Sequence, residues 1–148
     1  MNRLLAACPV LLLIAAAGSS LPILPGKWQT IVTLTDLKMP GAPPGLGAAM
    51  RGRPTKITAC LTPAQAANGP RAVLQGSKGK CRYTRFDVAG GRFNAVMQCA
   101  FGSGTMTTTS TGSYTATTMD VVGSATMKTP SGITTTKSRL VGRRIGPC

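Results

Sequence analysis

Between Gly26 and Arg144 the chain repeatedly alternates apolar or small side chains with polar ones, in runs broken by clusters of Gly and Pro. A period of two sends successive side chains to opposite faces of a strand, so this pattern commits the chain to β-structure with one buried face. Gly26 to Leu37 reads as one long strand, with Trp28, Thr30, Val32 and Leu34 on one side and Ile31 on the other. Lys56 to Leu61, Cys81 to Val88, Arg92 to Phe101, Thr105 to Tyr114, Met119 to Met127 and Ile133 to Arg144 follow as further strands. Met119, Val121, Gly123, Ala125 and Met127 alternate and should face the interior. The expected fold is all-β, an antiparallel meander of about seven strands. Such a sheet must curl into a half-barrel or open barrel to protect its edges.

Two stretches depart from that pattern. Met39 to Pro54 carries four prolines and four glycines, which argue against regular structure there. Thr62 to Leu74 is the helix candidate between the second and third strands. Thr62 is placed as an N-cap, Pro63 at the first helical position needs no N–H partner, and Gln65 completes a capping box. Asn68, Gly69 and Pro70 limit the helix to one or two turns, and Gly76 to Lys80 reads as a loop.

The N-terminus predicts export. Met1, Asn2 and Arg3 give a short positive start, Leu4 to Ala17 an apolar run, and Gly18, Ser19 and Ser20 the small residues of a cleavage site. The run has about 14 residues where a spanning helix needs roughly 20. Residues 1–20 are therefore expected to be a signal peptide and 21–148 a single secreted domain. Leu5, Ala6, Ala7 and Cys8 spell a lipoprotein box, but it precedes most of the apolar run, so lipidation is not expected.

Removing the leader leaves Cys60, Cys81, Cys99 and Cys148, an even number that reads as two disulfides in an oxidising compartment. The chain has no Cys-x-x-Cys pair and no histidine, which excludes the usual zinc signatures. The hairpin at Gly90 and Gly91 bears on the pairing. A two-residue loop sets Val88 opposite Phe93, Phe86 opposite Ala95 and Thr84 opposite Met97. That register puts Cys81 and Cys99 on opposite faces, which disfavours bonding them to each other, and of the two remaining connectivities Cys60 with Cys81 and Cys99 with Cys148 is preferred.

The chain carries a Pro-Gly-x-Trp start (Pro25 to Trp28), a Met-Pro-Gly loop (Met39 to Gly41) and a Cys-Leu-Thr-Pro corner (Cys60 to Pro63). A Thr/Gly/Met-rich hairpin region and a closing Gly-Arg-Arg-x-Gly-Pro-Cys (Gly142 to Cys148) follow in that order. In these motifs the chain resembles a family of small secreted proteobacterial proteins known as domain of unknown function 3617. Gln29 departs from the Glu that often follows the Trp. The resemblance implies a secreted β-rich domain and lends no activity.

An enzyme is hard to build from these residues. The chain has neither His nor Glu, and Asp36, Asp87 and Asp120 lie on separate segments. Ser77 and Lys80 match Ser-x-x-Lys, but that nucleophile pattern needs a helix start in a larger scaffold. No cofactor is expected. Seventeen Lys and Arg against three acids give a net charge of +14, one less without Arg3. The cations cluster at Arg51, Arg53 and Lys56, at Lys78, Lys80, Arg82 and Arg85, and at Lys137, Arg139, Arg143 and Arg144. Such a field favours anionic membrane surfaces or lipopolysaccharide. Nucleic acid is not expected, since stacking aromatics are scarce.

The expected function is that of a non-enzymatic, envelope-associated binding or structural protein of the periplasm or exterior. Two alternatives compete. A barrel-like sheet can enclose a lipid-like hydrophobic ligand, and Met39, Met50, Met97, Met106, Met119 and Met127 carry thioethers of the kind that hold Cu(I). At alternating strand positions methionine also serves as apolar packing. The many threonines after Gly102 suit the solvent face of strands.

Overall fold

A computed structural model of the protein describes residues 22–69, 71 and 78–148. Seven strands form one antiparallel sheet: β1 (Gly26–Lys38), β2 (Pro54–Leu61), β3 (Cys81–Ala89), β4 (Arg92–Phe101), β5 (Gly104–Tyr114), β6 (Thr118–Thr129) and β7 (Gly132–Gly146). Their order across the sheet is β2-β1-β7-β6-β5-β4-β3. β3 to β7 are a five-strand meander, and the β1–β2 hairpin joins it by pairing β1 with β7. The sheet is open, with β2 and β3 as its edges.

The register makes the two faces chemically distinct. Row by row, Val88, Phe93, Gly112, Val121, Leu140 and Val32 lie side by side on one face. Phe86, Ala95, Ser110, Gly123, Ser138 and Leu34 form the next row of the same face. Burial alternates accordingly along β5, where the odd-numbered threonines are exposed and the even-numbered residues half-buried or buried. This apolar side is the inner face, and the sheet curls towards it. Leu61 of edge strand β2 and Val88 of edge strand β3 pack on one buried cluster of Ile23, Trp28 and Tyr114. Two opposite edges can share a cluster only if the strands close round it at that end.

Ile23 plugs this narrow end from an arm that precedes β1. The Trp28 indole N–H donates to the Leu24 carbonyl at 3.0 Å, and the Leu24 N–H donates to the Ala116 carbonyl at 2.9 Å. Elsewhere the inner face is thinly covered. Among the described residues no large side chain is below 2% exposed, and the buried apolar set is Ile23, Trp28, Ala66, Ala95, Cys99 and Tyr114.

Helix α2 (Pro63–Ala67) sits between β2 and β3 as expected, with the Thr62–Gln65 capping box formed in both directions. Beyond it Arg71 stands over the Phe86 ring, 4.3 Å from its centroid. The connection thus crosses from the β2 edge to the β3 edge within ten residues of Leu61. Residues 70 and 72–77, which hold part of the expected loop and Ser77, lie outside the described residues. The Pro/Gly stretch after β1 is not wholly irregular. It contains a five-residue helix, α1 (Leu46–Met50), that returns the chain so that the Gly52 N–H donates to the Leu34 carbonyl at 2.9 Å.

The disulfide pairing corrects the expectation from the sequence. Cys60 bonds Cys148 and Cys81 bonds Cys99, with Cα separations of 5.8 and 4.0 Å. The expected register holds from the Gly90–Gly91 turn to Arg85 opposite Val96, and then Thr84 is left unpaired, so that Tyr83 faces Met97. One extra residue on β3 is a β-bulge, which moves every following side chain to the other face. Cys81 therefore arrives directly opposite Cys99. The chain-entropy model credits loops of 88 and 18 residues with about 4.6 and about 3.2 kcal/mol.

Candidate functional site

Charge divides between the faces. Every Lys and Arg of the seven strands except Arg144 occupies an outward register position, and so do Asp36, Asp87 and Asp120. The outer face also shows a few apolar residues, Ile31 with its cross-strand partner Val141, and Val122, at 39, 43 and 52% exposure. A cationic exterior results from alternation alone, because polar residues fill the second position of each strand, and the inner side carries charge only from Arg144 and from Arg71 over the Phe86 ring among the described residues.

The cations singled out in the sequence go to different places. Arg51 and Arg53 are exposed on the turn ahead of β2, and Lys56 lies on the outer side of that edge. Lys78 and Lys80 lead into β3, at the far edge, and Arg82 and Arg85 project outward from it. Arg143 is exposed at the narrow end. Three are already engaged. Arg85 pairs with Asp87, and Arg139 forms a fork on Asp120, its Nε 3.0 Å from Oδ1 and its Nη2 2.6 Å from Oδ2. Hydrogen bonding from Arg139, with its positive charge, holds the Asp120 carboxyl below its usual range. Arg144 faces inward and donates from Nε to the Pro25 carbonyl at 2.7 Å, so it is a structural brace and no surface contact.

What the fold assembles is a groove of about 440 Å³ at the wide end of the sheet. Lys80, Arg82 and Lys128 line it together with Gln98, Thr105, Thr107 and Thr126, and no carboxylate does. The Arg82 guanidinium is steadied by donating to Gln98 Oε1 at 3.4 Å. Lys128 was not singled out from the sequence. Its outward position follows once β6 is paired with β5, which sets it opposite Thr105. A second groove, about 520 Å³, lies over Gly112 and is lined by Arg92, Arg139 and Asp120, so its charge is partly cancelled.

Three of the recognised motifs meet at the narrow end. In the Pro-Gly-x-Trp start, Gly26 has φ of 134°, and a Cβ there would lie 2.5 Å from the Gly146 carbonyl oxygen. Arg144 and Cys148 of the closing motif hold Pro25 and Cys60, and Leu61 of the Cys-Leu-Thr-Pro corner packs on the Trp28 cluster. Residues 23–148 match the sequence profile of a family described as protein of unknown function (DUF3617). The chain belongs to this family. Its motifs thus account for how the narrow end is closed, and they place no reactive group there. No curated protein and no solved structure matches the chain.

Among the described residues no three His, Cys, Asp or Glu are grouped as a metal site would need. The methionines are dispersed in part. Met106 and Met127 oppose each other on the inner face, with Met97 on the neighbouring strand, whereas Met119 lies beside the narrow-end cluster and Met39 and Met50 are exposed before β2. Tyr83 packs against Phe86 in a tilted arrangement with 4.7 Å between centroids, and burial raises its phenol pKa against the opposing pull of Arg71. The two disulfides indicate an oxidising, extracytoplasmic setting. Among the described residues no helix is long and apolar enough to cross a membrane.

Proposed function

We propose that the protein is an exported, non-enzymatic component of the cell envelope that docks on anionic surfaces through its outer face. The carrying observation is the segregation of charge: strand cations project outward and three of them, Lys80, Arg82 and Lys128, share a groove without a carboxylate. The leader-like residues 1–20 and the two disulfides support a periplasmic or secreted location. The absence of His and Glu from the sequence supports a binding role over catalysis.

Physics favours a lipid or lipopolysaccharide surface over nucleic acid as the partner. Lys and Arg near an anionic bilayer each contribute about 1 kcal/mol, whereas the outer face offers no aromatic platform for bases. Co-sedimentation with vesicles of phosphatidylglycerol and phosphatidylcholine tests it. Replacing Lys80 and Lys128 together by Ala should remove about 2 kcal/mol, roughly a 30-fold loss of affinity at low salt. Equal binding to purely zwitterionic vesicles, or an unaltered double variant, would refute the reading.

A further inference from the structure

We infer that the outer-face groove at the wide end is a site for a terminal phosphate, taking the dianionic phosphomonoester in preference to the singly charged diester. The inference rests on the outer-face reading and adds to it a selectivity that diffuse surface charge lacks. Scattered cations rank anions by charge density, whereas a site ranks them by the number and placement of their oxygens.

The ladder builds the groove from two outward rows. Arg82, Gln98, Thr107 and Thr126 lie side by side in one. In the next, the Ala100 N–H donates to the Lys80 carbonyl at 2.9 Å, and Ala100, Thr105 and Lys128 follow across the strands. Long cationic side chains therefore stand on β3 and β6, with small residues on β4 and β5 between them. Side-chain size makes this depression, on a face that the curl of the sheet alone would leave convex. β3 and β6 are three strand spacings apart, about 14 Å at ~4.8 Å each, so the four-carbon stems of Lys80 and Lys128 can lean towards each other over Ala100 and Thr105. Arg82 is already turned that way, because donation to Gln98 Oε1 draws its guanidinium over β4. Its planar fork suits two oxygens of one phosphate.

No acid shares this field. Asp87 lies beyond Arg82 along β3 and Asp120 before Lys128 along β6, about 16 and about 26 Å away at ~3.3 Å per residue, and each is held by its own arginine. Asp36 is two strands beyond β6, opposite Lys137. The first two separations exceed the Debye length of about 8 Å at physiological salt. Three cations without an acidic partner match a group with a charge of about −1.5 to −2 at pH 7 and three terminal oxygens, as in a phosphomonoester. A diester offers one charge and two such oxygens. The rest of the lining, Gln98 and the hydroxyls of Thr105, Thr107 and Thr126, supplies neutral donors and acceptors. A groove of about 440 Å³ also takes the first polar atoms of whatever bears the phosphate.

The test compares binding of the oxidised protein to phosphatidylcholine vesicles that contain either phosphatidic acid or phosphatidylglycerol, adjusted to the same zeta potential so that the diffuse field is equal. The expected result is at least tenfold tighter binding to phosphatidic acid. Arg82→Lys keeps the charge and loses the fork, so it should cut that preference at least threefold and leave phosphatidylglycerol binding unchanged. Lys128→Ala should abolish the preference, whereas Lys56→Ala, outside the groove, should weaken both bindings alike. Soluble glycerol phosphate, with dimethyl phosphate as control at equal ionic strength, separates the sources: release from phosphatidic acid vesicles by the monoester alone assigns the groove to free phosphate esters as well, and no release assigns it to the lipid-borne group. Equal binding to the two vesicle types, or a preference unaltered in both Arg82→Lys and Lys128→Ala, would overturn the inference and leave the surface reading standing. Absence of binding to either vesicle at low salt would overturn both.

Discussion

Deleting Thr84 turns the strand register into a thiol count. In the structure Thr84 is the extra residue of the bulge, with Tyr83 opposite Met97 and Arg85 opposite Val96. Its removal leaves a regular ladder in which Tyr83, Cys81 and Phe86 keep the inner face and Cys81 still meets Cys99. The side-chain bond lost is that from the Thr84 hydroxyl to the Val96 carbonyl, 3.3 Å long and exposed, so the change in stability should stay within about 1 kcal/mol. Deleting Gln98 is the opposite case. Cys99 then takes an outward position while Cys81 points inward, the 18-residue loop opens, and about 3.2 kcal/mol of chain-entropy stabilisation is lost. For a domain of this size that is roughly 10–15 °C in Tm. Alkylation in denaturant without reduction, read by mass, should find no free thiol in the Thr84 deletion and two in the Gln98 deletion, with urea melts supplying the energies. A disulfide map of the wild type that joins Cys60 to Cys81 and Cys99 to Cys148 would mean that β3 runs in regular register with Thr84 opposite Met97, and the pairing described above would be wrong.

Other consequences are sharper than their size. A Cβ at Gly112 would lie 2.5 Å from the Asp120 carbonyl oxygen, whereas one at Gly142 meets side chains, the flexible Met119 at 2.6 Å and the Thr30 hydroxyl at 3.4 Å; Gly112→Ala should therefore cost about 1–3 kcal/mol in urea melts, and Gly142→Ala distinctly less. Ile23→Ala should remove the plug at about 2–5 kcal/mol, and a melt unchanged by it would contradict the closure of the narrow end. Tyr83 is raised by burial, so its neutral form is favoured in the folded state: its contribution is intact below the ordinary tyrosine pKa and lost as pH rises through the folded value. Tyr83→Phe should flatten the alkaline limb of a stability profile followed together with tyrosinate absorbance. Asp120 is shifted the other way, so its contribution is present above the ordinary Asp value and fades as pH falls through the lowered one. Asp120→Asn should flatten the acid limb slightly, since the Arg139 pair is exposed.

Strand positions were legible because alternation is a local property: β4 begins and ends where the sequence reading placed it, and the inner set of β6, Met119 to Met127, follows from spacing alone. The capping box of Thr62 and Gln65 was equally local. The pairing of the cysteines was not, because a single bulged residue inverts the face of everything beyond it and Thr84 carries no mark that distinguishes it from a paired threonine. Nor does any local pattern announce that β1 crosses back to β7, which is what brings Cys148 to Cys60 and turns Arg144 inward to Pro25. The basic groove shows the same division. Lys80 and Arg82 were visible as a cluster, while Lys128 joins them only because β4 and β5 carry the ladder from β3 across to β6.

The central claim is that the strand cations form an outward face which recognises negative surfaces. Its most direct measurement is the salt dependence of binding to phosphatidylglycerol vesicles by the oxidised protein, against phosphatidylcholine vesicles as control. The account predicts binding at low ionic strength that weakens steeply as the Debye length shrinks from about 30 Å at 0.01 M to about 8 Å at 0.15 M, with little binding to the control. Vesicle binding that is absent at low salt, or indifferent to salt and lipid charge, would contradict it.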